Sequence, residues 1–376
     1  MNPTQFREIT LHEIRLPLKE PFRISSGLCT ERRIMLVRSR DVDGVTVWSE
    51  CVAGETPNYS SETIDTAWIA ISEYVAPRVL GAEFEQPEHV YPALEHNFRG
   101  HHMAKAAIEM AAWALVAERD GIPLARLIGG TRTEIETGIS IGIQISPGAL
   151  VERVGRALGD GYRKIKIKIE PGSDMQFVGA VRAAYPGAPL MADANNAYTL
   201  DDTDRLRELD QFDLMMIEQP LAYDDIVRHA ALQQALSTPI CLDESITSVD
   251  RAQDMITLKA GRIVNIKPGR VGGLSQSRAI HDLCEQHGIP VWCGGMLESG
   301  VGRAYNIALA SLPNFTKPGD LSPSARYWER DVVTPEWTMS DDGIIRVPLD
   351  CRGIGVHVDV DRIDDLTVRS QVLLAR

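Results

Sequence analysis

Five ionisable residues recur at the ends of successive apolar runs with nearly constant spacing. Lys168, Asp193, Glu218 and Asp243 stand 25 residues apart, and Lys267 follows 24 further on. The runs are Arg163-Lys-Ile-Lys-Ile-Lys-Ile, Pro189-Leu-Met-Ala-Asp193, Leu214-Met-Met-Ile-Glu218, Pro239-Ile-Cys-Leu-Asp243 and Arg262-Ile-Val-Asn-Ile-Lys267. Pro290-Val-Trp-Cys293 continues the series. Helical stretches lie between them, bearing Phe177, Val181 and Ala184 or Leu206 and Leu209 on one face, with turn signals at Gly261 and Gly288. One strand–helix unit advances a chain by about this much, and repeated units imply a parallel sheet. Seven or so units favour closure into a barrel over an open doubly wound sheet. No G-x-G-x-x-G follows the first strand and no P-loop is present, which weakens a nucleotide-binding alternative. In such a barrel the C-terminal strand ends surround one mouth, where active sites sit.

Three carboxylates converging there repel one another unless a cation holds them. Oxygen ligands without His or Cys indicate Mg²⁺, with Mn²⁺ as the substitute, rather than zinc. Any one of these acids taken alone reads as a strand-end or helix-capping residue; in register, Asp193, Glu218 and Asp243 read as metal ligands. Lys164, Lys166 and Lys168 alternate with isoleucines and so share one face of a strand. A parallel-barrel strand is normally apolar on both faces, so this is either a solvated edge or a lysine face turned inward to the acids. A buried lysine needs a charged partner, and its pKa can fall far enough to make it a base. Lys168 and Lys267, on opposite sides of the mouth, would form an acid/base couple for moving a proton at carbon. Asn195 could face the site or merely form a turn. Glu244 and Arg270 could support the ligands from behind. Gly294-Gly295-Met296 could offer backbone N–H groups to an anion. Ser140 has no adjacent base, which argues against a serine nucleophile. The histidines, His101-His102 included, show no metal spacing.

The chain's 376 residues suit two or three domains. Before the repeats, Ile9 to Leu16 alternates like a strand, and Ile34 to Arg40 should pair with Thr46 to Cys51 across Asp43-Gly44. Helical periodicity follows from about 61 to 128. The fold expected is α/β: a TIM-like (β/α)7β barrel over 133–322, an N-terminal α+β capping domain over 1–132, and a C-terminal segment, 323–376, returning to complete the cap. A net charge of −13 without a basic run argues against nucleic acid. Six scattered cysteines without C-x-x-C suggest reduced thiols. No signal peptide or bilayer-length segment is evident, so a cytoplasmic location is expected and two N-x-[ST] matches, at Asn58 and Asn314, read as chance.

Lys166-Ile-Lys168, Asp193-Ala-Asn195, Ile217-Glu-Gln-Pro220, Leu242-Asp-Glu-Ser245 and Asn265-Ile-Lys267 together resemble the enolase superfamily, muconate-lactonizing branch. Longer strings are similar to its N-succinylamino acid racemase / o-succinylbenzoate synthase subgroup: Phe98-Arg-Gly-His-His-Met-Ala-Lys105, Ile165-Lys-Ile-Lys-Ile-Glu-Pro-Gly172, Asn265-Ile-Lys-Pro-Gly-Arg-Val-Gly-Gly273 and Trp292-Cys-Gly-Gly-Met-Leu-Glu-Ser-Gly300. The resemblance spans nearly the whole chain. It implies one Mg²⁺ on Asp193, Glu218 and Asp243, acid/base roles for Lys168 and Lys267, and help from Lys166 and Asn195 at the carboxylate and metal. It implies capping loops at Pro21 to Cys29 and Thr56 to Glu62 that choose the substrate, with Ser140, Gly295 and Met296 contributing from the barrel. The partners expected are a small-molecule carboxylate and further copies of the chain, with neither nucleic acid nor membrane.

Two activities fit the same residues: racemisation at Cα of N-acylamino acids by both lysines, or syn dehydration to o-succinylbenzoate on the menaquinone route. Muconate cycloisomerisation is a more distant possibility. A dipeptide epimerase should carry Asp-x-Asp where Asp320-Leu-Ser322 stands, and a sugar-acid dehydratase should carry a His–Asp dyad in place of Lys267. A non-catalytic interaction protein has no need of five ionisable residues in register.

Overall fold

The structure, a computed structural model, describes residues 3–24 and 27–375. Three antiparallel strands open the chain: β1 (Thr4–Ile24), β2 (Gly27–Asp41) and β3 (Thr46–Cys51). The β2–β3 turn falls at Asp43-Gly44 as expected. Asp41 Oδ1 accepts the Asp43 and Val45 N–H groups, and Gly44 takes the positive φ of 87° that the turn requires.

The sheet packs on helix α1 (His102–Arg119), buried from Met103 to Ala117. A helix apolar on every side belongs in an interior, and this one lies where the cap meets the parallel-sheet domain. Its two buried charges are both engaged, one within the cap and one across the junction. Lys105 pairs with Glu95 at 2.5 Å. Glu109 crosses to the parallel-sheet domain and accepts the Leu274 and Ser275 N–H groups at 2.7 and 2.9 Å. Those amides open a helix of that domain (Leu274–Gln286), so its N-terminus is capped from the other layer. Gly273, before it, has φ +124°, and a Cβ there would lie 2.0 Å from the Glu109 carboxylate.

Seven parallel strands follow: β4 (Gly138–Ile141), β5 (Lys164–Lys168), β6 (Leu190–Asp193), β7 (Ile217–Glu218), β8 (Ile240–Leu242), β9 (Ile263–Ile266) and β10 (Val291–Cys293). Each hydrogen-bonds the next in sequence order. The result is a capping domain beside a seven-stranded parallel sheet. Residues 317–320 bond to both sheet edges: Asp320 N donates to Cys293 O at 2.9 Å, and Gly138 N to Gly319 O at 2.6 Å. Strand β11 (Thr367–Leu374) pairs antiparallel with β1 on the cap. No helix among the described residues is long and apolar enough to cross a membrane.

Candidate active site

Strand register explains why the 25-residue spacing gathers the charged side chains. Lys168 pairs with Asp193 and Asp193 with Glu218, a level row across β5, β6 and β7. Glu218 opposes Cys241, so Asp243 stands one pleat further along the same face. Leu242 opposes Val264, which sets Asn265 beside Asp243 and Lys267 one pleat beyond. Two residues before each acid, Met191, Met216 and Cys241 pack with Ile263 and Trp292 as a separate buried cluster. The inward face of the sheet is thus apolar at its floor and ionic at its C-terminal rim.

The lysines of β5 point into this ionic layer rather than to solvent. Lys164 is fully buried, 3.3 Å from the Trp292 ring centroid and 3.1 Å from Asp320. Lys166 Nζ lies 2.6 Å from Asp320, 3.1 Å from Glu218 and 3.3 Å from Asp193. Lys168 Nζ donates to Asp193 at 2.7 Å and Asn195 at 2.6 Å. At the other end of the row, Lys267 Nζ meets Asp243 at 2.8 Å, and Arg270 pairs with the second oxygen of Asp243.

A cavity of about 230 Å³ opens on this row. Ser140, Lys166, Lys168, Asp193, Asn195, Asp243, Glu244, Lys267, Gly295 and Met296 all border it. Four residues singled out from the sequence, Lys164, Glu218, Arg270 and Gly294, do not. Glu218 has no exposed surface and accepts the Asn265 amide at 2.7 Å, while Arg270 stands behind Asp243. The sequence reading missed Asp320 and Arg32 as contributors, and named Tyr59 only as part of the capping loop 56–62. Tyr59 OH donates to Asp243 at 3.0 Å and accepts from Lys267 at 3.1 Å. Asp320 neutralises two lysines, and Arg32 reaches in from the cap. Of the expected capping loops, 56–62 borders the cavity through Thr56, Tyr59 and Glu62. Glu62 accepts the Met103 and Ala104 N–H groups at the start of α1, which fixes that loop. In the loop Pro21 to Cys29, Ser25 and Ser26 lie outside the described residues.

The donor set suits a hard divalent cation. Carboxylates and amide oxygens face the cavity, and no histidine or cysteine among the described residues lines it. Each candidate ligand is engaged by a cation of the chain: Asp193 by Lys168, Glu218 by Lys166, and Asp243 by Lys267 and Arg270. The three acids do not form a compact donor group among the described residues. The compact trio of metal-type donors among the described residues is instead His281, Asp282 and Glu285, of which both acids are exposed. Exposed acids of this kind are common without an ion.

Burial would raise the Asp193 pKa, but Lys168 and Lys166 outweigh it and hold the carboxyl below its usual range. Burial pushes Glu244 up to about 7, with the Asp193 charge adding to the effect. The lowered lysine pKa expected from the sequence is not found for Lys166 or Lys267. Burial works in that direction, yet Asp320, Glu218 and Asp193 drive Lys166 well above its ordinary value. Tyr59, Glu218 and Glu244 raise Lys267. Acids facing an ammonium favour its charged form.

Asp320 carries a prediction of its own. Burial opposes its charge, but Lys164 and Lys166 hold its pKa near 2, against 3.8 ordinarily. A carboxyl lowered on folding stabilises the fold above its unfolded pKa, and that contribution is lost as pH falls through about 2. Asp320→Ala strands the buried Lys164 ammonium and takes one of three carboxylates from Lys166, which should cost about 3–5 kcal/mol. A urea titration reads this as a lower midpoint at unchanged slope. A loss under about 1 kcal/mol would mean the lysines do not depend on Asp320.

A mouth of acids and lysines at the C-terminal rim of a parallel βα sheet, roofed by an α+β cap, defines an enzyme of the proton-transfer class. Family models agree: residues 6–129 match the mandelate racemase / muconate lactonizing enzyme N-terminal domain, and residues 149–362 match the enolase C-terminal domain-like family. The chain belongs to the enolase superfamily. It is 49% identical over 367 residues to an o-succinylbenzoate synthase of Geobacillus stearothermophilus, covering 97% of this chain and 96% of the relative. It is 47% identical over 365 residues to an N-succinylamino acid racemase of Thermus thermophilus, covering 97% and 98%. A solved enolase-superfamily protein from Listeria innocua superposes with a TM-score of 0.95 at 39% identity, covering 99% of this chain and all of that one. The chain is therefore an enzyme of isomerase or lyase type, acting on small molecules.

Proposed function

We propose that this enzyme abstracts the proton alpha to a carboxylate, racemising N-acylamino acids, N-succinyl derivatives above all, and forming o-succinylbenzoate by syn dehydration. The observation that carries the reading is the placing of Lys168 and Lys267 at opposite ends of one buried row of acids, bordering one cavity. The same reading takes residues 1–132 and 323–376 as the cap and 133–322 as a (β/α)7β barrel, closed through residues 317–320. It also takes the enzyme to be a cytoplasmic homo-oligomer.

Members of the enolase superfamily use Mg²⁺. Here Asp193, Glu218 and Asp243 would hold it. Bound there, it supplies positive charge beside the substrate carboxylate, where negative charge gathers as the α-proton leaves. The residues of the chain do the rest. Around the row, Asp193, Glu218, Asp243 and Asp320 pair with Lys164, Lys166, Lys168, Lys267 and Arg270, and Glu244, pushed up to about 7, stands beside them. Were the three ligand acids to hold that divalent charge, their grip on the neighbouring ammonium groups would loosen, and one lysine could give up its proton. That lysine takes the α-proton from one face, and the opposite ammonium returns a proton from the other in racemisation. In the dehydration the remote ammonium stabilises the intermediate instead. Asn195 orients Lys168, and Tyr59 and Arg270 steady the Asp243–Lys267 pair.

Steady-state assays on purified protein test the substrate class. Values of kcat/KM on N-succinylamino acids and on the o-succinylbenzoate precursor should exceed those on muconate and on dipeptides by at least roughly 100-fold. A preference for muconate or a dipeptide would sink the proposal.

A further inference from the structure

The cavity has a second polar end. Arg32, on β2, borders it from the cap with 9% of its surface exposed. Its guanidinium carries five N–H donors. One nitrogen, Nη2, makes long contacts to carbonyls, 3.5 Å to Val52 O and 3.3 Å to Met296 O, and the buried Nε has no partner. Among the described residues no carboxylate pairs with it. Glu50, close enough to be felt electrostatically, is committed elsewhere: its oxygens accept from Ser299 N, Ser299 Oγ and Gly302 N. Arg303 also borders the cavity, but carbonyls of Ser322 and Glu298 take its fork and the Tyr327 ring covers it at 5.3 Å. A buried guanidinium facing a cavity without a counter-ion is matched to a planar anion, because its fork fits a carboxylate bidentately. Val52, Met103, Met296 and Leu297 also line the cavity and give it apolar wall.

We propose that Arg32 binds a second carboxylate of the substrate, the terminal carboxylate of a succinyl-type arm, while the first lies at the acid and lysine row. The enzyme is thereby specific for dicarboxylates with an apolar spacer. This rests on the substrate class proposed above. It adds the residue that selects within that class, on the cap rather than the barrel.

The test compares two substrates in the Mg²⁺-supplied enzyme: an N-succinylamino acid and its isosteric terminal amide. Wild type should prefer the acid by on the order of 100-fold in kcat/KM, as expected for charge-assisted hydrogen bonds. Arg32→Met should erase that preference through KM on the acid, and leave the amide within roughly threefold. Arg32→Lys should fall between, since it keeps the charge without the fork. Equal losses on both substrates would make Arg32 a structural strut and overturn the proposal, as would an undiminished preference. If Arg32→Met fails to fold by circular dichroism, Arg32→Lys carries the same comparison. If wild type turns over neither substrate, the proposed function fails, and calorimetry with succinate judges Arg32 separately. Binding to wild type but not to Arg32→Met supports it; no binding, or equal binding, overturns it.

Discussion

Lys168→Ala and Lys267→Ala should each abolish racemisation, a fall of at least roughly 10²–10⁴-fold, the usual worth of a positioned acid or base. Inversion at Cα needs a base on one face and an acid on the other, so neither lysine substitutes for its partner. The two hold different acids at the two ends of the row, Asp193 and Asp243, and both border the cavity. Each variant should still exchange the Cα proton of one enantiomer with D₂O, through the lysine it retains. Loss of the Cα–H signal by NMR, followed separately for D and L substrates, should therefore be complementary between the two variants. The pattern separates a lost proton carrier from a damaged metal site, which would silence both enantiomers in both variants. Racemisation at wild-type rate by either variant would refute the two-lysine mechanism.

The ionic row was legible because two independent periodicities agree on it. The 25-residue βα advance puts Lys168, Asp193 and Glu218 level, and the two-residue strand period keeps Asp243 and Lys267 on the same face despite the stagger. The alternating lysines of β5 left a choice between edge and interior. The structure resolves it through counter-charge, since Asp193, Glu218 and Asp320 surround Lys166. Asp320 lies 27 residues beyond Cys293. It was within reach of the same arithmetic, but no apolar run precedes it to mark a strand. Tyr59 and Arg32 gave no such signal. They enter the cavity from the cap, and no local pattern in a loop or an antiparallel strand reports which distant sheet it will face. Burial does lower Lys164, but the pKa values of Lys166 and Lys267 run opposite to the sequence expectation for a physical reason. Burial was counted, while the acids that the same spacing delivers beside the ammonium groups were assigned wholly to the metal.

Glu218→Gln should remove tight Mg²⁺ binding and activity together while the fold persists. Glu218 is the most enclosed of the three acids, held between the Asn265 amide at 2.7 Å and Lys166 at 3.1 Å. Glutamine fills the same volume, so packing gives little reason to unfold. What changes is charge: one of three carboxylates is lost, and an –NH₂ replaces an oxygen that only accepted. Divalent affinity follows ligand charge count, so the expected loss is at least on the order of 100-fold. Lys166 partly offsets the structural cost, because it still faces Asp193 and Asp320. Mg²⁺ calorimetry measures the affinity, proton exchange in D₂O measures the chemistry, and a thermal melt followed by circular dichroism reports the fold. A variant that melts like wild type, binds Mg²⁺ weakly and exchanges no Cα proton is the expected result. Unaltered Mg²⁺ affinity in Glu218→Gln, or full wild-type activity after exhaustive chelation with no metal retained, would rule out a metal site on this row. The lysines would then have to be read as a base pair working without one.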